Sequence, residues 1–127
     1  MQLKSNKTIT SVELISKLFH ARTQVHIFHL QTDSYAQHKA LDEFYSGILD
    51  FVDGIAEALQ GKEGILKGYK SEPFVENNAP IPFLTELKNM LESYRTSLPT
   101  NYANIDNEVQ SLITLIDSTV YKLKFLK

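Results

Sequence analysis

Cysteine is absent from this chain of 127 residues. That removes disulfides, thiolate metal sites and thiol nucleophiles at once, and it leaves the redox compartment open. No apolar run approaches the roughly 20 residues that a membrane-spanning helix needs. The first residues, Met1 to Lys7, lack the apolar stretch of a signal peptide, so a cytoplasmic protein is the default. Charge of one sign is also lacking: 13 Lys and Arg stand against 15 Asp and Glu, a formal net charge of −2. A nucleic-acid-binding domain normally shows a basic excess, and Lys4 and Lys7 make no basic tail. At this length the chain is expected to be a single domain over 1–127, with room for one core.

Helix breakers are scarce and unevenly placed. All five glycines lie between Gly47 and Gly68, and three of the four prolines between Pro73 and Pro82. The remaining stretches read as two helical halves joined by a long connection. Thr10-Ser11-Val12-Glu13 has the form of a capping box, with Ile9 and Leu14 placed as a hydrophobic staple. A first helix follows to about Thr32, with Leu14, Ile15, Leu18, Val25 and Phe28 at helical spacing. Asp33 or Ser34 caps a second helix, from about Tyr35 to Leu59, with Leu41, Ile48, Val52 and Ile55 on one face. Residues 60–81 form the connection. A third helix spans about Pro82 to Leu98, and a fourth about Tyr102 to Phe125. This pattern predicts an all-α four-helix bundle with its long crossover between helices 2 and 3.

Histidine and carboxylate side chains recur at helical intervals, and both are ligands suited to iron or zinc. With His38 as the zero of angle, Asp42 falls at roughly 40°, Asp53 at roughly 60° and Glu57 at roughly 100° around the second helix. All four share a stripe that borders the apolar face. Along the axis, however, the pair His38 and Asp42 is about 16 Å from the pair Asp53 and Glu57. Metal–ligand bonds are about 2 Å long, so one helix offers two half-sites and no whole one. A second copy, antiparallel to the first, would bring His38 and Asp42 of one chain against Asp53 and Glu57 of the other. A two-fold dimer therefore gives two equivalent sites. Gly47 and Gly54, on the adjoining flank, are expected to permit close helix approach. Taken singly, each carboxylate is more often just a solvated charge; the joint spacing is what points to a metal.

Written as His26-x11-His38-x3-Asp42-x10-Asp53-x3-Glu57, the spacing resembles the ferroxidase signature of the Dps-like miniferritins of the ferritin-like superfamily. The segments His38-Lys-Ala-Leu-Asp42-Glu-Phe-Tyr45 and Asp53-Gly-Ile-Ala-Glu57 carry the likeness, which covers about residues 20–60. The stretch from His29 to His38 is also similar to small uncharacterised bacteriophage proteins. The resemblance implies a ferritin-like bundle, two ferrous ions bound at an inter-subunit site and their oxidation by peroxide or dioxygen. It also implies a homodimer or an assembly of dimers. Ile27 follows His26 and Leu30 follows His29 where the family has tryptophan. His26 keeps the family spacing, and a rebuilt turn would bring His29 into its place. Both stay as candidate ligands with His38, Asp42, Asp53 and Glu57. Asp42 has a second possible role, orienting His38 from behind.

Two other functions compete. One is a non-enzymatic structural or interaction protein of phage origin, in the host cytoplasm or the virion, that keeps the bundle and has lost its metal. A DNA-compacting protein is the weaker one. Gly61-Lys-Glu-Gly64 is no phosphate loop, since neither Ser nor Thr follows the lysine and no strand precedes it. Arg22 falls on the apolar side of the first helix, either pairing with a buried carboxylate or snorkelling. His20 reads as structural or exposed. Lys122, Lys124 and Lys127 suit the negative end of a helix.

Overall fold

In a computed structural model of the protein the structure describes residues 9–127. The segment read for a leader, with Lys4 and Lys7, lies outside them. Four α-helices and one short 3-10 turn (Thr100–Tyr102) make up the regular structure: α1 Ser11–Gln31, α2 Tyr35–Glu63, α3 Pro80–Thr96 and α4 Ala103–Phe125. No strand is present among the described residues. None of these helices is long and apolar enough to cross a membrane.

The start of α1 follows the sequence closely. Glu13 N–H donates to Thr10 Oγ1 at 3.2 Å, and Thr10 N–H donates to the Glu13 carboxylate at 2.9 Å. Two orphan donors of the first turn are thereby satisfied. Ser34, not Asp33, caps α2 by accepting from Gln37 N–H. Helix α2 runs past the expected end at Leu59 to Glu63, straight through Gly61. A glycine inside a helix costs about 1 kcal/mol against alanine, too little to stop a helix anchored by buried Ile55 and Leu59. The chain leaves the helix at Gly64, whose φ of 89° is a conformation that glycine takes without strain. Helix α3 begins at Pro80, slightly earlier than expected. Proline in a first turn gives up an N–H that has no helical partner anyway.

One core joins all four helices. Leu14, Leu18, Val25 and Phe28 of α1 meet Leu41, Phe44, Ile48 and Val52 of α2, Leu84 and Leu91 of α3, and Val109, Leu112 and Ile116 of α4, all fully buried. Each such side chain contributes roughly 1.5–3 kcal/mol on leaving water. Helix α1 packs on α2, α2 on α4, α4 on α3, and α3 back on α1.

The connection over residues 64–79 climbs along α1. Lys70 N–H donates to Ser16 Oγ, Lys17 pairs with Glu72, and further on Val75 meets Gln24. The last tie is two-way. Gln24, fully buried, donates to Val75 O at 2.9 Å and accepts from Val75 N–H at 2.8 Å. Phe83 then meets Phe28 edge to face, ring centroids 5.7 Å apart, and α3 returns antiparallel to α1. Helix α4 runs antiparallel to α2, with Lys122 on Glu43 at one end and Lys62 Nζ on Asn101 O at the other.

Candidate functional site

The tight link between α1 and α2 brings the histidines together. Thr32, Asp33 and Ser34 are the only residues between the helices, and Thr32 Oγ1 donates to Gln37 across the turn at 2.8 Å. His29, in the last turn of α1, places its Nδ1 2.7 Å from His38 O. His38, in the first turns of α2, places its own Nδ1 2.9 Å from His29 O. A carbonyl oxygen only accepts, so both Nδ1 atoms carry the proton and donate. In the neutral rings both Nε2 atoms then hold a lone pair, which is the tautomer a metal needs. The two rings stack with centroids 3.6 Å apart and planes 20° apart.

His26 lies one turn back on α1. Its ring stacks flat on Tyr45 of α2, centroids 4.0 Å apart, and Tyr45 and His29 meet edge to face with centroids 5.2 Å apart. Tyr45 thus stands among His26, His29 and Asp42. A hydrogen bond from the Tyr45 hydroxyl holds the Asp42 carboxyl below its usual range, with His29, Ser46 and Lys39 adding to the effect. The same bond, with the negative charge of Asp42, pushes the Tyr45 phenol above its ordinary value. Ser46 Oγ also reaches Asp42, at 3.4 Å. In the sequence Tyr45 stands only as the end of the His38–Tyr45 segment, with no role assigned to it. Its position three residues after Asp42, on the same side of a turn, was the signal for this role.

Asp53 and Glu57 are placed differently. Both are exposed, and neither has a hydrogen-bond or ion-pair partner among the described residues. They stand about 16 Å further along α2 than the first pair. Among the described residues, no three His, Asp or Glu side chains converge to hold a metal ion within one chain. His26, His29, His38 and Asp42 are gathered at one end of the stripe; Asp53 and Glu57 stand apart at the other. Leu49 sits between them on the same stripe, about 2 Å from the midpoint along the axis, and it is 42% exposed.

Two expectations need correction. Gly47 and Gly54 face α4 of the same chain instead of a second copy: a Cβ at Gly47 would lie 3.6 Å from Leu115 and one at Gly54 3.8 Å from Glu108. At roughly 180° and 160° from His38, they lie about 60–80° beyond the Glu57 edge of the stripe. Arg22 pairs with no buried carboxylate. Its Nε is buried without a hydrogen-bond partner among the described residues.

The described residues thus form an all-helical protein in which His26 and His29 of α1 stand beside the His38–Asp42 end of a stripe on a long second helix. Residues 29–123 match the model of a family of unknown function, DUF5856, and the chain belongs to that family. It is also similar to the "Uncharacterized 14.6 kDa protein in mobD-ri intergenic region" of Enterobacteria phage T4. The two are 28% identical over 123 residues, which cover 97% of this chain and 91% of the phage protein. The expected likeness to small phage proteins is therefore found. No solved structure matches.

Proposed function

We propose that this chain is a ferritin-like four-helix bundle that pairs two-fold through α2 and oxidises ferrous iron between the two copies. The observation that carries the reading is Leu49, an exposed leucine between a histidine-rich pair and an acidic pair on one stripe. Reversing a second copy of α2 about the point between residues 47 and 48 sets His38 against Glu57 and Asp42 against Asp53, with the two Leu49 side chains about 4.5 Å apart along the axis, either side of the dyad. Apolar burial then lies at the dyad, with a mixed nitrogen and oxygen donor set on either side. The Nε2 lone pairs of His29 and His38 fit such a set, because each ring is already oriented by its Nδ1 bond to a carbonyl. Asp42, steadied by Tyr45, keeps free lone pairs for a cation.

In the reaction, each of two ferrous ions gives up one electron. Hydrogen peroxide takes both electrons with two protons, its O–O bond breaks, and two waters result. The chain's part is to hold the two ions together and to supply negative charge that favours the ferric state. The test is ferrous oxidation by the native chain and by His38→Ala and Asp53→Asn. Both variants are expected to lose it. Equal oxidation by all three, or a native chain of monomeric mass, sinks the reading.

A second reading has its own support: an interaction protein that uses the histidines only to close the α1–α2 hairpin. Each His29 and His38 ring already bonds the other's backbone, and the T4 relative comes from a phage. No metal in the purified protein and none on titration would decide for it.

A further inference from the structure

A cleft of about 260 Å³ opens where α1, the crossover and α3 meet. Phe83, Leu87 and Met90 form its apolar wall, and Lys17, His20, Glu72 and Glu86 its polar rim. The charges on the rim do not balance. Lys17 and Glu72 neutralise one another at 3.0 Å. His20 lies flat on Phe74, ring centroids 4.9 Å apart, and burial lowers its pKa, so at neutral pH its ring is mainly uncharged and keeps a lone pair. Glu86 is left without a partner among the described residues, and the cleft carries one uncompensated negative charge.

An anion would meet Glu86, and a bare metal ion would gain nothing from the apolar wall. Nor do His20, Glu72 and Glu86 converge as a metal site. A monocation with an apolar body satisfies both halves of the cleft. We propose that this cleft binds a small organic ammonium carrying an aromatic or branched apolar group, with the ammonium on Glu86 and the apolar group against Phe83 and Met90. At about 260 Å³ the cleft is smaller than most pockets for drug-sized molecules, so the ligand is small.

The probe is 2-phenylethylammonium, titrated into the full chain while the Met90 methyl signal is followed by NMR. The neutral alcohol of the same shape, 2-phenylethanol, is the control. Saturable movement of the Met90 methyl is expected. Glu86→Gln and the change from ammonium to alcohol should each weaken binding about five-fold, the size of one exposed ionic contact. Glu86 is exposed, so the variant leaves the core intact, which its spectrum verifies. A Met90 signal that does not move overturns the proposal. So does equal binding of alcohol and ammonium, or undiminished binding by Glu86→Gln.

Discussion

The two ends of the α2 stripe differ in how completely the chain itself satisfies them. At the N-terminal end every polar group has work within the chain: His38 and His29 bond each other's backbone, His26 stacks on Tyr45, and Asp42 is held by Tyr45 and Ser46. At the C-terminal end Asp53 and Glu57 stand exposed without partners among the described residues. The difference separates two kinds of constraint on sequence. The first end closes the α1–α2 turn with its own bonds, whatever the function. The second makes no such bond among the described residues, so a role for it points to a partner outside the chain.

The strongest way to break this comparison is to neutralise the free end. The double variant Asp53→Asn, Glu57→Gln should abolish ferrous oxidation, a loss of at least about ten-fold, as expected when metal ligands are removed. Its stability should stay within about 0.5 kcal/mol of the native chain, because both side chains are exposed. Chemical denaturation read beside the oxidation assay checks both halves. A large stability loss would mean that these carboxylates have structural partners after all.

The satisfied end should behave in the opposite way. His29→Ala with His38→Ala removes two side-chain hydrogen bonds and a ring stack. At about 0.5–1.5 kcal/mol for each bond and a similar share for the stack, a loss of about 2–4 kcal/mol is expected. The denaturation midpoint measures it in metal-free buffer. A small loss would show that the Thr32–Ser34 turn is held by its own capping bonds and leave the histidines free for chemistry.

Leu49 tests the dyad. Leu49→Asp should leave a folded chain, since the residue is already 42% exposed, yet halve the mass in solution of the proposed dimer. Placing two carboxylates either side of a dyad is repulsive as well as less apolar. Unchanged mass would move the contact between copies elsewhere.

Much of the fold was legible in the sequence, and the reasons are local. Thr10 and Glu13 announce the start of α1, Ser34 that of α2, and the spacing of Leu41, Ile48, Val52 and Ile55 gives the buried face directly. Features that depend on tertiary neighbours were not legible. Gly47 and Gly54 look the same in sequence whether they face α4 or a second molecule. The Gln24–Val75 clasp joins positions 51 residues apart, and its one advance sign was an amide on the buried side of α1, beside Val25. For the site, the stripe and its two half-sites could be read from 3.6-residue periodicity. The mutual capping of His29 and His38 could not, because it depends on how the turn between the helices is built.

The smallest expected effect concerns acid sensitivity near the free end of α2. There the carboxylate that is paired belongs to α4: Asp106 accepts from Arg95 Nε at 2.7 Å and also from Gln110. The bond from Arg95 holds the Asp106 carboxyl below its ordinary value of 3.8. A group whose pKa is lower in the folded than in the unfolded chain binds fewer protons when folded. Its stabilising contribution is therefore present above pH 3.8 and is lost as the pH falls from there through the folded value. Asp106→Asn should flatten that part of the stability–pH curve, whereas Asp53→Asn, which removes a carboxylate without a partner, should leave its slope nearly unchanged. Denaturation midpoints between about pH 2 and pH 5 compare the two. If Asp53→Asn flattened the curve as much as Asp106→Asn, Asp53 would have a cationic partner in solution, and the contrast between the two ends of α2 would fail.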